Sequence, residues 1–383
     1  MRIGGCLILA LLLLPWTAPR ERAAAQSAPL SAAMIEYRKK LEAYLQARES
    51  YEAQARTYWQ SIADKRALRA RKRSSNQVIL IDDYVLTQPP VYSGPEKPVD
   101  PSAPPEEKPR KIYIPVVADF LRAAVEQYKF VPQRPQSEIE YKRAYAKVAA
   151  AAGLTREQAV RIYGFESGGS GAYDVQAGLE HPWPRAHAIS TALGYNQLLT
   201  TNTIELIAEQ GDHFIAALKA KAARPVDAPK KALEDKIRIL LRMVAFSRTV
   251  PDDWAAHGQL AGTAKGLALH AMNLDIDVGP MLQTQKLMTS VVFARRKGHR
   301  AALSAADLEL MNLTGDGNGF DMVTMPAAMR EQIPTANFFQ PGGYHRNPVA
   351  MRNNVVSKLV AAMNSVMDRE SKLQGAKDLA AAF

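Results

Sequence analysis

Apolar positions recur every three to four residues over most of the chain beyond residue 111. The pattern is clear in VVADFLRAAVEQYKF (116–130), EIEYKRAYAKVAAAAG (138–153), TREQAVRIYGFES (155–167) and TIELIAEQGDHFIAALKAK (203–221). It continues in KKALEDKIRILLRMVAF (230–246), GPMLQTQKLMTSVVFARRKG (279–298) and NNVVSKLVAAMNSVMDRESK (353–372). This is the period of amphipathic helices, and the two-residue alternation of strands is scarce, so the expected fold class is mainly α.

Upstream, Met34 to Ser74 is rich in Glu, Lys, Arg, Gln and Ala, with Tyr37, Leu41, Tyr44, Leu45, Tyr51, Tyr58 and Trp59 loosely at helical spacing. One or two long amphipathic helices are expected there. A β-prone stretch, QVILIDDYVL (77–86), follows, and residues 88–109 then hold eight prolines, the composition of an extended linker. The expected organisation is therefore a helical N-terminal extension (26–87), a Pro-rich linker (88–110) and a main domain (111–383). The extension is expected to act as a tether, the alternative being that its aromatic residues pack onto the main domain.

The first residues add an address. A short basic start, an apolar run from Cys6 to Trp16 and Ala23-Ala24-Ala25 before Gln26 read as a cleaved secretory signal over 1–25. The run is shorter than the roughly 20 apolar residues of a spanning helix, so no transmembrane segment is expected in the mature chain. The expected location is the periplasm or another exported compartment. Cys6 is the only cysteine, which leaves the mature chain without disulfide or thiol chemistry. Loss of Arg2, Arg20, Glu21 and Arg22 with the signal lowers the formal charge from +11 to +9. A basic exported protein suits a carboxylate-bearing cell-envelope polymer better than nucleic acid, and a solvated basic surface is the plainer alternative.

The candidate chemistry sits at the end of the helix over 155–167. Thr155 and Gln158 form a Thr-x-x-Gln capping box, so Ala159, Ile162, Tyr163 and Glu166 fall on one face. An acid closes an apolar stripe. SGGSG ends the helix at once, placing Glu166 at the negative end of the helix dipole. Partial burial and the dipole both push its pKa upward, as a general acid requires. By position alone, the plainer reading is a carboxylate that snorkels from the last turn or pairs with one of the many lysines and arginines.

A second element changes the balance. FESGGSG followed by ALGYNQLL resembles the Glu-Ser-Gly and Gly-x-x-Gln signatures of lytic transglycosylases, the lysozyme-like enzymes that cleave peptidoglycan. The resemblance implies a lysozyme-like helical domain in which Glu166 is the sole catalytic acid and base. It further implies that Ser167 and Gly168 complete the first motif, and that Gly194, Tyr195, Asn196 and Gln197 line the cleft opposite. Ser190 corresponds to a serine that positions the substrate acetamide, and Tyr344 in NFFQPGGYHRNPVAM to a cleft tyrosine. The interval between the motifs is longer than usual, and Asn196 stands where the family usually has Met. The motifs cover roughly residues 155–205, and a helix capped by Thr201 or Thr203 is expected to follow.

A lone acid suits this chemistry, because the muramic acid C6 hydroxyl replaces water as the nucleophile and a 1,6-anhydro product forms. The alternatives are a hydrolytic muramidase, for which Asp174 or Glu180 would be the second carboxylate, and a non-catalytic glycan-binding scaffold recruiting an envelope partner through the N-terminal helices. No cofactor is expected. The histidines form no HExxH motif, and His181 and His187 bracket a Pro-Trp-Pro loop rather than a helix face. GDGNGFD (315–321) offers Asp316, Asn318 and Asp321 for calcium but lacks the closing Glu, so a Gly-Asn turn is expected there and no metal site.

Overall fold

A computed structural model describes residues 31–104, 113–168, 190–224 and 230–383. These group into two compact units, one of residues 31–50 with 92–104 and the other of residues 51–91 with 113–383. Among the described residues the structure is mainly helical, with two isolated β-bridges and no strand.

The expected N-terminal helices are one continuous helix, α1 (Ala32–Ser74). In the first unit the Tyr92 ring lies edge-on to Tyr44, with centroids 6.2 Å apart, and the Arg48 guanidinium sits 5.4 Å from the same ring. Part of the expected linker is thus packed against a helix and not extended freely; an aromatic ring among its prolines gives it an apolar face to bury.

The second unit continues through α2 (Val117–Tyr128), α3 (Glu138–Ala152), α4 (Arg156–Ser167), α5 (Thr200–Ala222) and α6 (Lys230–Ser247). Next come α7 (Trp254–Ala261), α8 (Ala264–His270), α9 (Gly279–Arg296), α10 (Ala305–Thr314) and α11 (Asp316–Thr324). Short α12 (Ala327–Arg330), α13 (Pro341–His345) and α14 (Pro348–Arg352) precede α15 (Val356–Glu370) and α16 (Gln374–Ala382). Among the described residues, no helix is long and apolar enough to cross a membrane.

The expected boundary at residue 87 is not the one the structure makes. Residues 51–91 belong to the body because α1 carries a buried cation into it. Arg69 is fully buried; it meets Asp321 at 3.1 Å and donates to the carbonyls of Asp83 at 3.0 Å and Asn337 at 2.8 Å. Its guanidinium also lies 4.4 Å from the Tyr84 ring centre. Tyr58 and Trp59 pack against an apolar cluster that includes Phe338, Phe339 and Tyr344. The alternative of packed aromatics therefore replaces the tether for this part of the extension. The β-prone stretch has no strand partner among the described residues; it turns through a 3-10 segment, Ile81–Asp83, where the Asp83 carboxylate takes the Leu80 N–H and the Lys72 ammonium.

The capping box of α4 is present in both directions, Gln158 N–H to Thr155 Oγ1 at 3.1 Å and Thr155 N–H to Gln158 Oε1 at 2.8 Å. The same Gln158 side chain donates to the Leu303 carbonyl at 2.6 Å, which ties the start of α4 to the segment that leads into α10. Residues 315–321 form no Gly-Asn turn but the start of α11. Gly319 makes that possible, since a Cβ there would lie 2.3 Å from the Met311 Cα on α10.

Candidate active site

Ala159, Ile162 and Tyr163 are fully buried, and Glu166, next on their face of α4, is half-buried where the stripe reaches a cleft. Gly168 ends the helix with φ +77° and donates its N–H to the Gly164 carbonyl. The cleft has a volume of about 1070 Å³, the upper end of what ligand sites offer. Its described walls carry the carboxylates of Glu166, Glu205, Glu209, Asp252, Glu309 and Asp316 against two cations, Lys286 and Arg296.

Glu166 has a partner that sequence reasoning missed. Glu309, on α10, is buried beside it, and each carboxyl perturbs the other. Asn312, one turn along α10, donates its amide to Glu166 Oε1 at 2.9 Å and lies 3.4 Å from Glu309 Oε1. Burial raises the Glu166 pKa, against the opposing pull of Glu309, Lys286 and Asn312. Glu309 lies well above the usual carboxylate range, through burial and then through the charge and hydrogen bond of Glu166. Burial thus favours the protonated form of both acids.

Farther along the cleft, burial also raises Glu205 and Glu209, with neighbouring carboxylates adding to the shift. Asp316 is raised by burial although it accepts from Ser290 Oγ at 2.6 Å.

The second motif is a tight loop closed by paired backbone hydrogen bonds between Leu193 and Leu198, both 3.0 Å. Gly194 and Gln197 adopt left-handed conformations, φ +84° and +44°. Glycine is required at 194, because a Cβ would lie 2.1 Å from the Gln283 amide nitrogen. Gln283, on α9, takes the Asn196 N–H at 2.8 Å, accepts Asn196 Nδ2 on its carbonyl at 2.6 Å and donates to the Leu193 carbonyl at 3.1 Å. It thereby holds both ends of the loop.

Of the second motif's expected cleft residues, the structure brings only Gln197 to the cleft wall with Glu166. Tyr195 is buried, its ring 4.6 Å from Tyr163 and 5.1 Å from Tyr141, with its hydroxyl on Glu138 at 2.5 Å. Asn196 is buried against Gln283. Gly194, Tyr195 and Asn196 are thus scaffold, and Tyr195 anchors the loop one helical turn before Glu166. Ser167 Oγ returns to the Tyr163 carbonyl at 2.6 Å, Gly168 is an exposed cap, and Ser190 Oγ accepts the Ala192 N–H at 3.2 Å. Tyr344 lies in the apolar cluster with Trp59 and Phe339, outside the cleft. The helix after the motif is capped by the Asn202 side chain, which accepts the Leu199 N–H, rather than by Thr201 or Thr203.

Asp174, Glu180, His181 and His187 lie outside the described residues, as does the expected signal segment 1–25. Asp316, Asn318 and Asp321 do not converge. Asp316 faces the cleft, Asn318 donates to the Thr314 carbonyl, and Asp321 is held by Arg69 and Arg73. Among the described residues no group of acids, histidines or cysteines could hold a metal ion.

The signal for Glu309 was the same as for Glu166, an acid inside an apolar run, LELM. Lys286 and Gln283 sit on α9, within a stretch that the sequence marks only as helical. No protein-family profile, curated protein or solved structure matches the chain.

Proposed function

We propose that this protein is an exported peptidoglycan lytic transglycosylase with Glu166 as its general acid and base. What carries the reading is Glu166, raised in pKa by burial and set with Glu309 and Gln197 in the wall of a large cleft. In the reaction, Glu166 gives a proton to the glycosidic oxygen of the leaving N-acetylglucosamine as the muramic acid C1–O bond breaks. Its carboxylate then stands in the field of Lys286, with a hydrogen bond from Asn312. These favour the anion when it forms. The C6 hydroxyl of the same muramic acid closes on C1 and returns its proton to Glu166, so neither water nor a second nucleophile is consumed.

Hydrolysis on the same fold is the second reading, favoured by Glu205 and Asp316, which supply carboxylates to the cleft from other elements. Mass spectrometry of fragments released from purified sacculi tests both: 1,6-anhydro ends are expected, and reducing ends would replace the first reading with the second. Glu166→Gln is expected to fold normally and to lower turnover at least about a hundredfold. Parent-rate cleavage by that variant would remove Glu166 from the mechanism. A glycan-binding scaffold would retain glycan and release nothing.

A further inference from the structure

Beside the cleft lies a second cavity of about 630 Å³, and Arg296 lines both. Its apolar wall comprises Ile79, Tyr84, Phe320, Met325 and Met329. Arg73, Arg296, Lys297 and His299 supply its polar wall, with Asp321 as the single carboxylate. Asp321 is already matched by two guanidiniums, Arg69 at 3.1 Å and Arg73 at 2.5 Å. Lys297 donates only to the Arg73 carbonyl, at 3.1 Å, and among the described residues neither Arg296 nor Lys297 has a salt bridge. The sign of the charge therefore reverses across Arg296, from a carboxylate-rich cleft to a cationic, apolar-walled pocket.

The C-terminal dipole of α9 accounts for a basic residue at position 296. It does not account for Arg73, brought from the end of α1, nor for a cavity between them. A ligand matching both chambers has an uncharged sugar portion in the first. In the second it has an aliphatic chain bearing carboxylates, which guanidinium and ammonium donors bind with charge-assisted hydrogen bonds.

We propose that the second pocket is a subsite for the acidic peptide attached to the glycan, with Arg296 and Lys297 binding its carboxylates and the apolar wall its aliphatic groups. This rests on the glycan-cleaving reading above. It gives the residues after α1 a role in substrate choice: strands carrying peptides are preferred over bare ones.

The test uses the full chain and a free peptide, N-acetyl-L-alanyl-γ-D-glutamyl-meso-diaminopimelate, alongside the same peptide with its carboxylates amidated. Calorimetric titration of the parent protein is expected to show binding that weakens about tenfold or more on amidation, the worth of a charge-assisted hydrogen bond. Lys297→Gln is expected to weaken the acidic peptide and leave the amidated one unchanged. It should also lower the ratio of kcat/KM on peptide-bearing glycan to that on peptide-free glycan. Equal affinity for the two peptides, or no binding of the acidic one at millimolar concentration, overturns the proposal; because that comparison uses the parent protein, no folding defect can mimic it. Failure of the glycan-cleaving reading is a separate observation, the absence of released fragments from sacculi, whatever the peptides do.

Discussion

Asn312 donates its side-chain amide to Glu166 across 146 positions of sequence, at 2.9 Å, from the same helix that buries Glu309. That one bond favours the ionised form of the group proposed to shuttle the proton. In Asn312→Leu the carboxylate loses a donor, so the Glu166 pKa rises further. Loss of activity at high pH should then begin later, while maximal kcat falls roughly ten- to a hundredfold, the worth of a hydrogen bond to a charged group. A pH–rate profile of the variant checks both; an unchanged profile would detach Asn312 from the acid.

Glu309 should leave a mark on stability as well as on rate. Its pKa is raised in the folded state above the ordinary glutamate value of 4.5, so the folded protein holds its proton over a range where the unfolded chain has lost it. The stability from keeping it protonated is complete below 4.5 and is lost as pH rises through the folded value. Glu309→Gln, which cannot ionise, should lose less stability than the parent between pH 4.5 and 8. Melting temperatures across that range give the comparison, and parallel curves would contradict it.

Gly194→Ala combines a left-handed backbone with a collision on Gln283. A loss of at least about 1 kcal/mol is expected from the backbone alone, with more from displaced Gln283. Cleavage should fall with it, because Gln197 is carried on the same loop. Chemical denaturation and a glycan assay measure the two effects together.

The buried Arg69 makes the region after residue 51 part of the fold. Arg69→Met leaves Asp321 to Arg73 alone and strands the carbonyls of Asp83 and Asn337, and a loss of at least about 1–3 kcal/mol is expected. Deleting residues 26–109 removes the same anchor together with Tyr58, Trp59 and Tyr84. That truncation should lower the melting temperature sharply, the opposite of what a tether would give.

The helical class, the capping box at Thr155 and the burial of Ala159, Ile162 and Tyr163 were legible because each rests on contacts within a few residues. The Glu166–Glu309 pair was not, since nothing local marks which of many acids will meet across the core. Tyr195 and Asn196 were legible as a motif but not as scaffold; their burial depends on Tyr141, Tyr163 and Gln283, brought in by three other helices. Residues 51–91 misled for a different reason. A basic helix followed by prolines has the composition of an appendage, and one arginine, finding Asp321 some 252 positions away, makes it part of the body.

The hydrogen bond from Gln158 to the Leu303 carbonyl joins α4 and the entry to α10 near their beginnings. Glu166 lies eight residues beyond that junction on one helix, a rise of roughly 12 Å, and Glu309 lies a shorter way along the other. The two acids thus behave like the tips of a pair of calipers pivoted at Gln158. Play at the pivot is carried toward the tips, so the alignment of the two acids depends in part on a joint that does not line the cleft.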